Sequence, residues 1–481
     1  MPSSHEQQEE GAIEMADTYE LVVLGGGTGG YSCALRAASL GLKVALVEKE
    51  KVGGTCLHWG CIPTKAFLQA AEVAEHTRTA DAYGVNATFG GVDIDKLLGY
   101  KNGIVNTTWR GLQATIKARG IETVHGTGRL KDARTLVVRT DEGERTLSAT
   151  KALVIATGST PRGLPIDGAE IDGELIVTSD HVMTLNRVPT RPIVVGASAV
   201  GVEFATVWHG WGAEKVTLIE ALDALVPRED IDTSKMLART FRRAGINVLT
   251  STMLTQVEKH HGEVRVTTRD GKTLEGDLLM IAIGRRPVSE DMGLEDAGVN
   301  LNNGFVVVDE LCRTGVSWDG GAQYAIGDVI PTLGLAHASF QEGFLVAEQV
   351  AGQRVRPIDY LGVPRVYYSH PEIAAVGFTE QELKDQDIPY DTRTSPFSHN
   401  ARAAMMRGTG HVKVLAGKDN GRVLGIHVIG PRATELIAEC QLIYNWEALP
   451  TEVAEFIHPH PTLTEAIGEA HLALAGKPFH G

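Results

Sequence analysis

The stretch LVVLGGGTGGYSCALRAASLGLKVALVE, Leu21 to Glu48, runs an apolar strand into a glycine turn, a helix of small residues, and a second apolar strand that closes on an acid. That order of parts is a βαβ unit. Its glycines let the backbone approach a pyrophosphate seated on the helix N-terminus, and its closing acid can bind ribose hydroxyls. A second copy, IVVGASAVGVEFATVWHGWGAEKVTLIE, spans Ile193 to Glu220 with the same parts in the same order. Gly25 precedes Glu48 by 23 positions and Gly196 precedes Glu220 by 24, both near the offset of about 20 that such a unit requires. One glycine motif can be no more than a tight strand-to-helix turn, but two complete units in one chain suggest two dinucleotides. The second copy has Ser198 where a middle glycine is expected, which adds a side chain on the pyrophosphate's path.

Outward from these units, residues 121–150 read as short strands joined by turns, and KALVIATGST returns a buried strand to the first unit. The segment Ile246 to Gly284 repeats that arrangement around the second unit. A Gly-rich region then ends in QYAIGD, followed by a helix from about Ala336 to Val350, and the last 120 or so residues alternate strands and helices in α+β fashion. The chain is therefore α/β, with two Rossmann-like dinucleotide-binding domains, a central domain and a C-terminal α+β domain, divided near 160, 288 and 358.

The 481 residues exceed what one core can organise. A net charge of −15, from 45 Lys+Arg against 60 Asp+Glu, disfavours nucleic acid and anionic membranes as partners. No apolar run approaches a membrane span. The five cysteines form no secreted disulfide framework and no zinc-ligand spacing, so no metal is expected. Residues 1–17 carry five acids and no Lys or Arg, which reads as a disordered tail on a cytoplasmic protein.

In GGTCLHWGCIPTKAFLQAAEVAEH, Cys56 and Cys61 lie five apart, and Pro63 marks a helix start. A thiol there feels the helix dipole, which favours thiolate; two buried free thiols are the plainer reading, a redox-active disulfide the sharper one. Lys65 shares a helix face with Cys61. Glu203 lies in the opening turns of the second glycine-unit helix, and the two could pair across domains beside a flavin. Near the C-terminus His458 and His460 each precede a proline, and Thr462 with Glu465 spells a capping box for the last helix.

GGTCLHWGCIPTK closely resembles the flavin-dependent disulfide oxidoreductases. ATGS at Ala156 to Ser159, YAIGD ending at Asp328, LAH at Leu335 to His337, SHPEIAAVGFTE and HPHPTLTEA narrow the resemblance to their dihydrolipoyl-oxidising branch, over residues 19 to 475. It implies an FAD-binding domain over 18–160, an NAD-binding domain over 161–288, a central domain with a second FAD segment over 289–358, and a dimerisation domain over 359–481. FAD would meet Gly25, Gly27, Gly30, Glu48, Lys65, Gly128, Thr157, Gly158, Ser159, Asp328 and Ala336. NAD would meet Gly196, Gly201, Glu203, Glu220, Val257 and Gly284. The catalytic set would be Cys56, Cys61, His460 as acid/base, Glu465 as the group orienting its imidazole, and the Lys65 and Glu203 pair, with His458 a bystander. Departures from the pattern are His58, Trp59, Thr64 and Ser198; none removes a reacting group. The implied activity is NAD-dependent oxidation of a protein-bound dihydrolipoyl dithiol by a homodimer. Its lipoylated partner would belong to a 2-oxo acid dehydrogenase complex or a glycine cleavage system. The rivals are an NAD(P)H-dependent reductase of a small disulfide and a mainly structural assembly subunit.

Overall fold

The computed structural model describes residues 16–480, so the tail expected over 1–17 lies outside the described residues apart from Ala16 and Asp17, and Asp17 already opens a strand. The chain forms two compact units, each drawn from separated segments. The first takes residues up to Gly54, Trp109–Ser159 and Pro287–Ile358; the second takes Thr55–Thr108, Thr160–Arg286 and Asp359–Gly481.

In the first unit, Asp17–Leu24 pairs in parallel with Val44–Glu48 on one side and with Gly143–Ile155 on the other. Glu122–His125 extends the sheet beyond Val44–Glu48, and Gly321–Ala325 extends it in parallel beyond Gly143–Ile155. The strand within QYAIGD thus completes the first sheet from more than 150 residues downstream. Val22, Leu46, Leu153 and Val154 are fully buried, as both faces of a parallel sheet require. The two short strands read in RTLSAT and KALVI are one 13-residue strand, Gly143–Ile155. No turn residue separates Thr150 from Lys151. The outer half pairs antiparallel with Thr135–Thr140 while the inner half joins the parallel sheet. Helix Ala336–Val350 packs along helix Thr28–Ser39. A Cβ on Gly343 would lie 2.7 Å from the Gly29 carbonyl oxygen and 2.8 Å from the Cys33 nitrogen, so only glycine allows this approach.

In the second unit a five-stranded parallel sheet runs Asn247–Leu249, Thr217–Ile219, Pro192–Val195, Leu278–Ile281, Ile176–Val177. Helix Cys61–Arg78 lies against helix Ala199–Trp211: a Cβ on Gly210 would come 2.6 Å from Ala71 Cβ, and Phe67 meets Trp211 edge-on at 5.1 Å. This packing groups residues 55–108 with the second nucleotide unit's helix. An antiparallel five-stranded sheet, Arg365–Tyr367, Glu372–Gly377, Val423–Gly430, His411–Gly417 and Tyr390–Pro396, is covered by helices Ala433–Asn445 and Glu465–Leu474.

An ionic seam ties this sheet to the loop before helix Ile231–Ala244. Lys413, 2% exposed, donates to both Asp230 carboxylate oxygens at 3.0 Å, to Asp232 at 2.8 Å and to Glu380 at 2.6 Å. Arg365 meets the buried Glu229 at 2.8 Å, and the Tyr367 hydroxyl donates to the same carboxylate. Each charge is paired and hydrogen-bonded, the condition under which burial is tolerated. Removing the cation alone strands Asp230 in the interior. Lys413→Met should lower stability by about 3–5 kcal/mol, read as a reduced denaturant midpoint, whereas Lys418→Met on the exposed edge of the same sheet should change it little.

Candidate active site

The first glycine turn is built by exclusion. Gly25 has φ +105°, and a Cβ there would overlap the Ala156 carbonyl; a Cβ on Gly30 would overlap the carbonyl of Gly25. Both positions are closed to any side chain. Gly27 caps helix Thr28–Ser39 with no side-chain bond, and nothing lies within 4 Å of where its Cβ would be, so the helix N-terminus opens onto free space. Gly54, at the start of the cysteine segment, has Gly27 Cα 2.6 Å from its own Cβ position. Glu48 accepts the Gly26 N–H at 2.7 Å on one oxygen and the Glu50 N–H at 2.8 Å on the other, which fixes its carboxylate at the strand end. Helix Ala336–Val350 in the same unit also starts without a side-chain cap. Uncapped helix N-termini and an oriented carboxylate fit a dinucleotide's pyrophosphate and ribose.

The other first-unit positions have local partners. Thr157 donates to the Val288 carbonyl at 2.5 Å, and Ser159 donates to Asp328 at 2.6 Å. Gly158 has φ +72°. At Gly128 a Cβ would come 2.6 Å from Leu24 Cδ1, so a side chain there would push the Leu24 side chain aside.

The second cradle repeats the first. A Cβ at Gly196 (φ +98°) would overlap the Ala282 carbonyl, and one at Gly201 the Gly196 carbonyl. Glu220 accepts the Ala197 N–H at 2.7 Å and the Leu222 N–H at 2.9 Å, matching Glu48 bond for bond. Ser198 has φ −81° and ψ −166°, nearly the values of Gly27 (−70°, −172°). That is ordinary extended backbone, so serine costs nothing in conformation, and its side chain is exposed. Gly284 (φ +112°) faces open space. Val257 differs: its side chain is buried and its N–H is taken by the Asp167 carbonyl at 2.9 Å.

Cys61 is the first residue of helix Cys61–Arg78 and Cys56 lies in the short helix Gly54–His58. Both are free, half-buried thiols that hydrogen-bond each other. The bond splits their acidities. Donation from Cys56, helped by the Lys65 ammonium and opposed by burial and by Glu203, lowers Cys61 to about 7. The same hydrogen bond, with burial and the neighbouring Cys61 charge, drives the Cys56 thiol upward. Cys61 is the thiolate of the pair, and its largest support is the Cys56 S–H.

Lys65 lies one turn on and donates to both Glu203 oxygens at 2.9 Å. Burial disfavours its charge, but the charge of Glu203 and the bonds to it, with Cys61 adding to them, hold its pKa above the usual lysine value. Tyr368 completes the arrangement. Its N–H donates to Glu203 at 3.0 Å and its ring lies 4.6 Å from the Lys65 nitrogen. Sequence reasoning passed over Tyr368, although it stands directly before SHPE; no periodicity or charge pattern points to a backbone donor and a ring face.

Near the C-terminus, His460 Nδ1 lies 2.8 Å from Glu465, while the second Glu465 oxygen accepts the Thr462 N–H at 2.9 Å. These two bonds hold the Glu465 carboxyl below its usual range against burial. Helix Glu465–Leu474 begins at Glu465 itself, with Thr464 as its N-cap, so Glu465 caps the turn before the helix and orients the imidazole with one carboxylate. His460 is 76% exposed, whereas His458 is tucked against Glu439 at 2.7 Å, and that hydrogen bond raises its pKa. Glu439 is a partner that no spacing in the sequence announced. Among the described residues, no His/Cys/Asp/Glu cluster would hold a metal ion, and no helix is long and apolar enough to cross a membrane.

Paired thiols of opposed acidity, in a chain that carries two dinucleotide cradles, define a redox enzyme acting on disulfides and dithiols. Residues 19–343 match the pyridine nucleotide-disulphide oxidoreductase model, and residues 363–471 match that family's dimerisation domain. The chain belongs to the pyridine nucleotide-disulphide oxidoreductase family, and its cofactors are FAD and NAD. It is 39% identical to a dihydrolipoyl dehydrogenase of Bacillus subtilis, with 97% of this chain and 100% of the relative covered. A Zymomonas mobilis dihydrolipoyl dehydrogenase is 36% identical over 97% of this chain and all of its own length. The crystal structure of LpdA from Mycobacterium tuberculosis superposes with a TM-score of 0.87 at 28% identity, over 95% of this chain and 100% of that one.

Alkylation kinetics test the thiol pair. The rate at Cys61 should rise with pH and level off above an inflection near 7, because the thiolate is the nucleophile. Cys56→Ala removes the S–H donor and should move that inflection upward by about one unit or more, while Cys56→Ser, which keeps a donor, should shift it less.

Proposed function

We propose that the chain oxidises a protein-bound dihydrolipoyl dithiol to the cyclic disulfide, with NAD+ as final acceptor. The observation that carries this reading is the pairing of the Cys56 and Cys61 thiols where helix Cys61–Arg78 begins, one turn from the Lys65–Glu203 ion pair, in a chain similar end to end to dihydrolipoyl dehydrogenases. In the oxidised enzyme the two cysteines form a disulfide. His460, its Nδ1 engaged by Glu465, takes a proton from one substrate thiol at its other ring nitrogen. The resulting thiolate attacks Cys56, breaking the Cys56–Cys61 bond and releasing Cys61 as the thiolate its surroundings favour. The second substrate sulfur then displaces Cys56, its proton passing to the departing Cys56 sulfur, and closes the lipoyl ring, leaving the enzyme two electrons richer, with Cys56 a thiol, Cys61 a thiolate and the first proton on His460. FAD, when bound, supplies the step from a thiol-borne electron pair to a hydride that NAD+ can accept. Lys65 and Glu203 keep a fixed positive charge beside the departing Cys61 sulfur.

We assign Gly25, Gly27, Gly30, Glu48, Thr157, Gly158, Ser159, Asp328 and Ala336 to FAD, and Gly196, Gly201, Glu203, Glu220, Val257 and Gly284 to NAD. Lys65 would serve the flavin side, and Gly128 borders the first site through its packing on Leu24. We assign the functional partition to four parts divided at 160, 288 and 358. The natural partner is a lipoylated protein of a 2-oxo acid dehydrogenase or glycine cleavage system, met in the cytoplasm. Turnover separates this from disulfide reduction: dihydrolipoamide with NAD+ should be oxidised rapidly, and oxidised glutathione with NADH or NADPH should be a poor substrate. The reverse preference would overturn the assignment.

Nicotinamide choice follows from Glu220. Its carboxylate can accept from both ribose hydroxyls and would repel a 2′-phosphate, and no arginine occurs in the six residues after it. The kcat/KM for NADP+ should fall below that for NAD+ by roughly 100-fold or more, and Glu220→Ala should narrow the ratio.

We further propose a homodimer in which His460 of one subunit serves the cysteines of the other. Phe456 and Ile457, 58% and 98% exposed just before His458, suit an association surface. Cys61→Ser and His460→Ala homodimers should each be nearly inactive. Subunit exchange between them should restore roughly a quarter of wild-type activity, since half the dimers would be mixed and each would hold one intact site. No recovery after verified exchange would place each site within one chain.

A further inference from the structure

Helix Ile231–Ala244 carries four cations that the redox chemistry does not use. Lys235, Arg239, Arg242 and Arg243 lie at intervals of four, three and one along one side of it, and all line a cavity of about 680 Å³. Among the described residues none of the four has an ion-pair partner. The reason is local. The acids nearest in sequence, Glu229, Asp230 and Asp232, are drawn into the ionic seam by Arg365 and Lys413. Asp223 is the one acid in the cavity lining. In a chain of net charge −15 this is a concentrated positive spot.

A second observation points to a ligand. Ser234 lines the same cavity, is 2% exposed, and its hydroxyl has no hydrogen-bond partner. A buried unpaired hydroxyl is costly unless something in the cavity meets it. The cavity's size falls in the range of small-molecule sites, about 300–1,000 Å³. The cations span about 12 Å of helix, more than one phosphate can bridge. Apolar wall is also present, since Leu225 and the partly exposed Ile231 line the cavity beside the charges. Asp223 follows strand Thr217–Ile219 and Thr250 follows Asn247–Leu249, so the cavity opens at the C-terminal ends of the parallel strands, where ligands bind in such sheets.

We infer that this cavity is a second anion site, distinct from the NAD cradle, that takes the polyphosphate chain of a nucleoside polyphosphate while its apolar wall receives the nucleoside. Lys235, Arg239, Arg242 and Arg243 hold the phosphates and the Ser234 hydroxyl donates to one of them. Because Glu220 lies three residues before Asp223, occupation should alter NAD+ affinity, and NAD+ should alter the ligand's affinity by the same factor.

Calorimetric titration of ATP into the holoenzyme at saturating NAD+ and physiological salt tests this. One saturable ATP site per chain is expected, more than about tenfold weaker in Arg239→Gln/Arg242→Gln and several-fold weaker in Ser234→Ala, with turnover in the absence of ATP unchanged. Inorganic tripolyphosphate should bind more weakly than ATP. Absence of saturation, abolition by NAD+, persistence in the double variant, or equal affinity for tripolyphosphate would each overturn the inference, the last by showing that charge alone is read. Because the readout is binding, failure here leaves dihydrolipoamide turnover untouched, and failure of that turnover leaves this site standing.

Discussion

The site depends on one ion pair. Lys65 comes from the helix that begins at Cys61 and Glu203 from the helix of the second glycine unit, and both oxygens of Glu203 accept from the one ammonium. Burial weakens the charge of a lysine so placed; the carboxylate restores it, and the charge in turn lowers the cost of a thiolate at Cys61. Tyr368 closes the arrangement from a third element, with its N–H on the carboxylate and its ring by the ammonium. Three segments far apart in the chain therefore set the reactivity of one sulfur. The close approach that lets them meet is written in Gly210 and Ala71, where any larger pair would hold the two helices apart.

The order of parts was legible because it rests on short-range rules. Strand, glycine turn, helix and closing acid follow each other within 28 residues in both copies, and the structure gives Glu48 and Glu220 the same two backbone bonds. Spacing also placed Lys65 on the Cys61 face and Glu465 within reach of His460. What spacing could not provide was anything fixed by long-range packing. That the strand at Gly321–Ala325 completes the first sheet, and that Lys413 is buried, depend on partners scores or hundreds of residues away. HVKVL alternates like a half-exposed strand, and only the acids at Asp230, Asp232 and Glu380 explain a lysine on its inner face. The glycines of the motif are not equivalent, and at Ser198 it is the backbone alone that the structure answers for. Gly25 and Gly30 are excluded from bearing a side chain by carbonyls, whereas the Ser198 position is ordinary extended backbone.

Cys61 owes its acidity first to another cysteine. Reading the helix start alone credits the dipole, but the S–H of Cys56 and the Lys65 ammonium also lower the Cys61 pKa. The support from Cys56 belongs to the reduced pair: once Cys56 is held in a mixed disulfide it has no proton to give, and the Lys65 ammonium is what remains beside the Cys61 thiolate.

The first unit is assembled from three stretches, the last of which begins at Pro287. Its central strand Gly143–Ile155 has one flank covered by Asp17–Leu24 and the outer part of the other by Thr135–Thr140, but the inner part, Ala152–Ile155, waits for Gly321–Ala325. During synthesis, at roughly 5–20 residues per second, that flank emerges from the ribosome without its neighbour for on the order of ten seconds or longer. An apolar parallel strand with an open hydrogen-bonding edge is a template for wrong partners during that interval. The second unit's nucleotide sheet, whose strands all lie between residues 176 and 281, is available before the first is finished. Of the two nucleotide sheets, the later to close is thus the one the sequence began, which makes the nascent protein a natural client for whatever shields exposed strands in the cell.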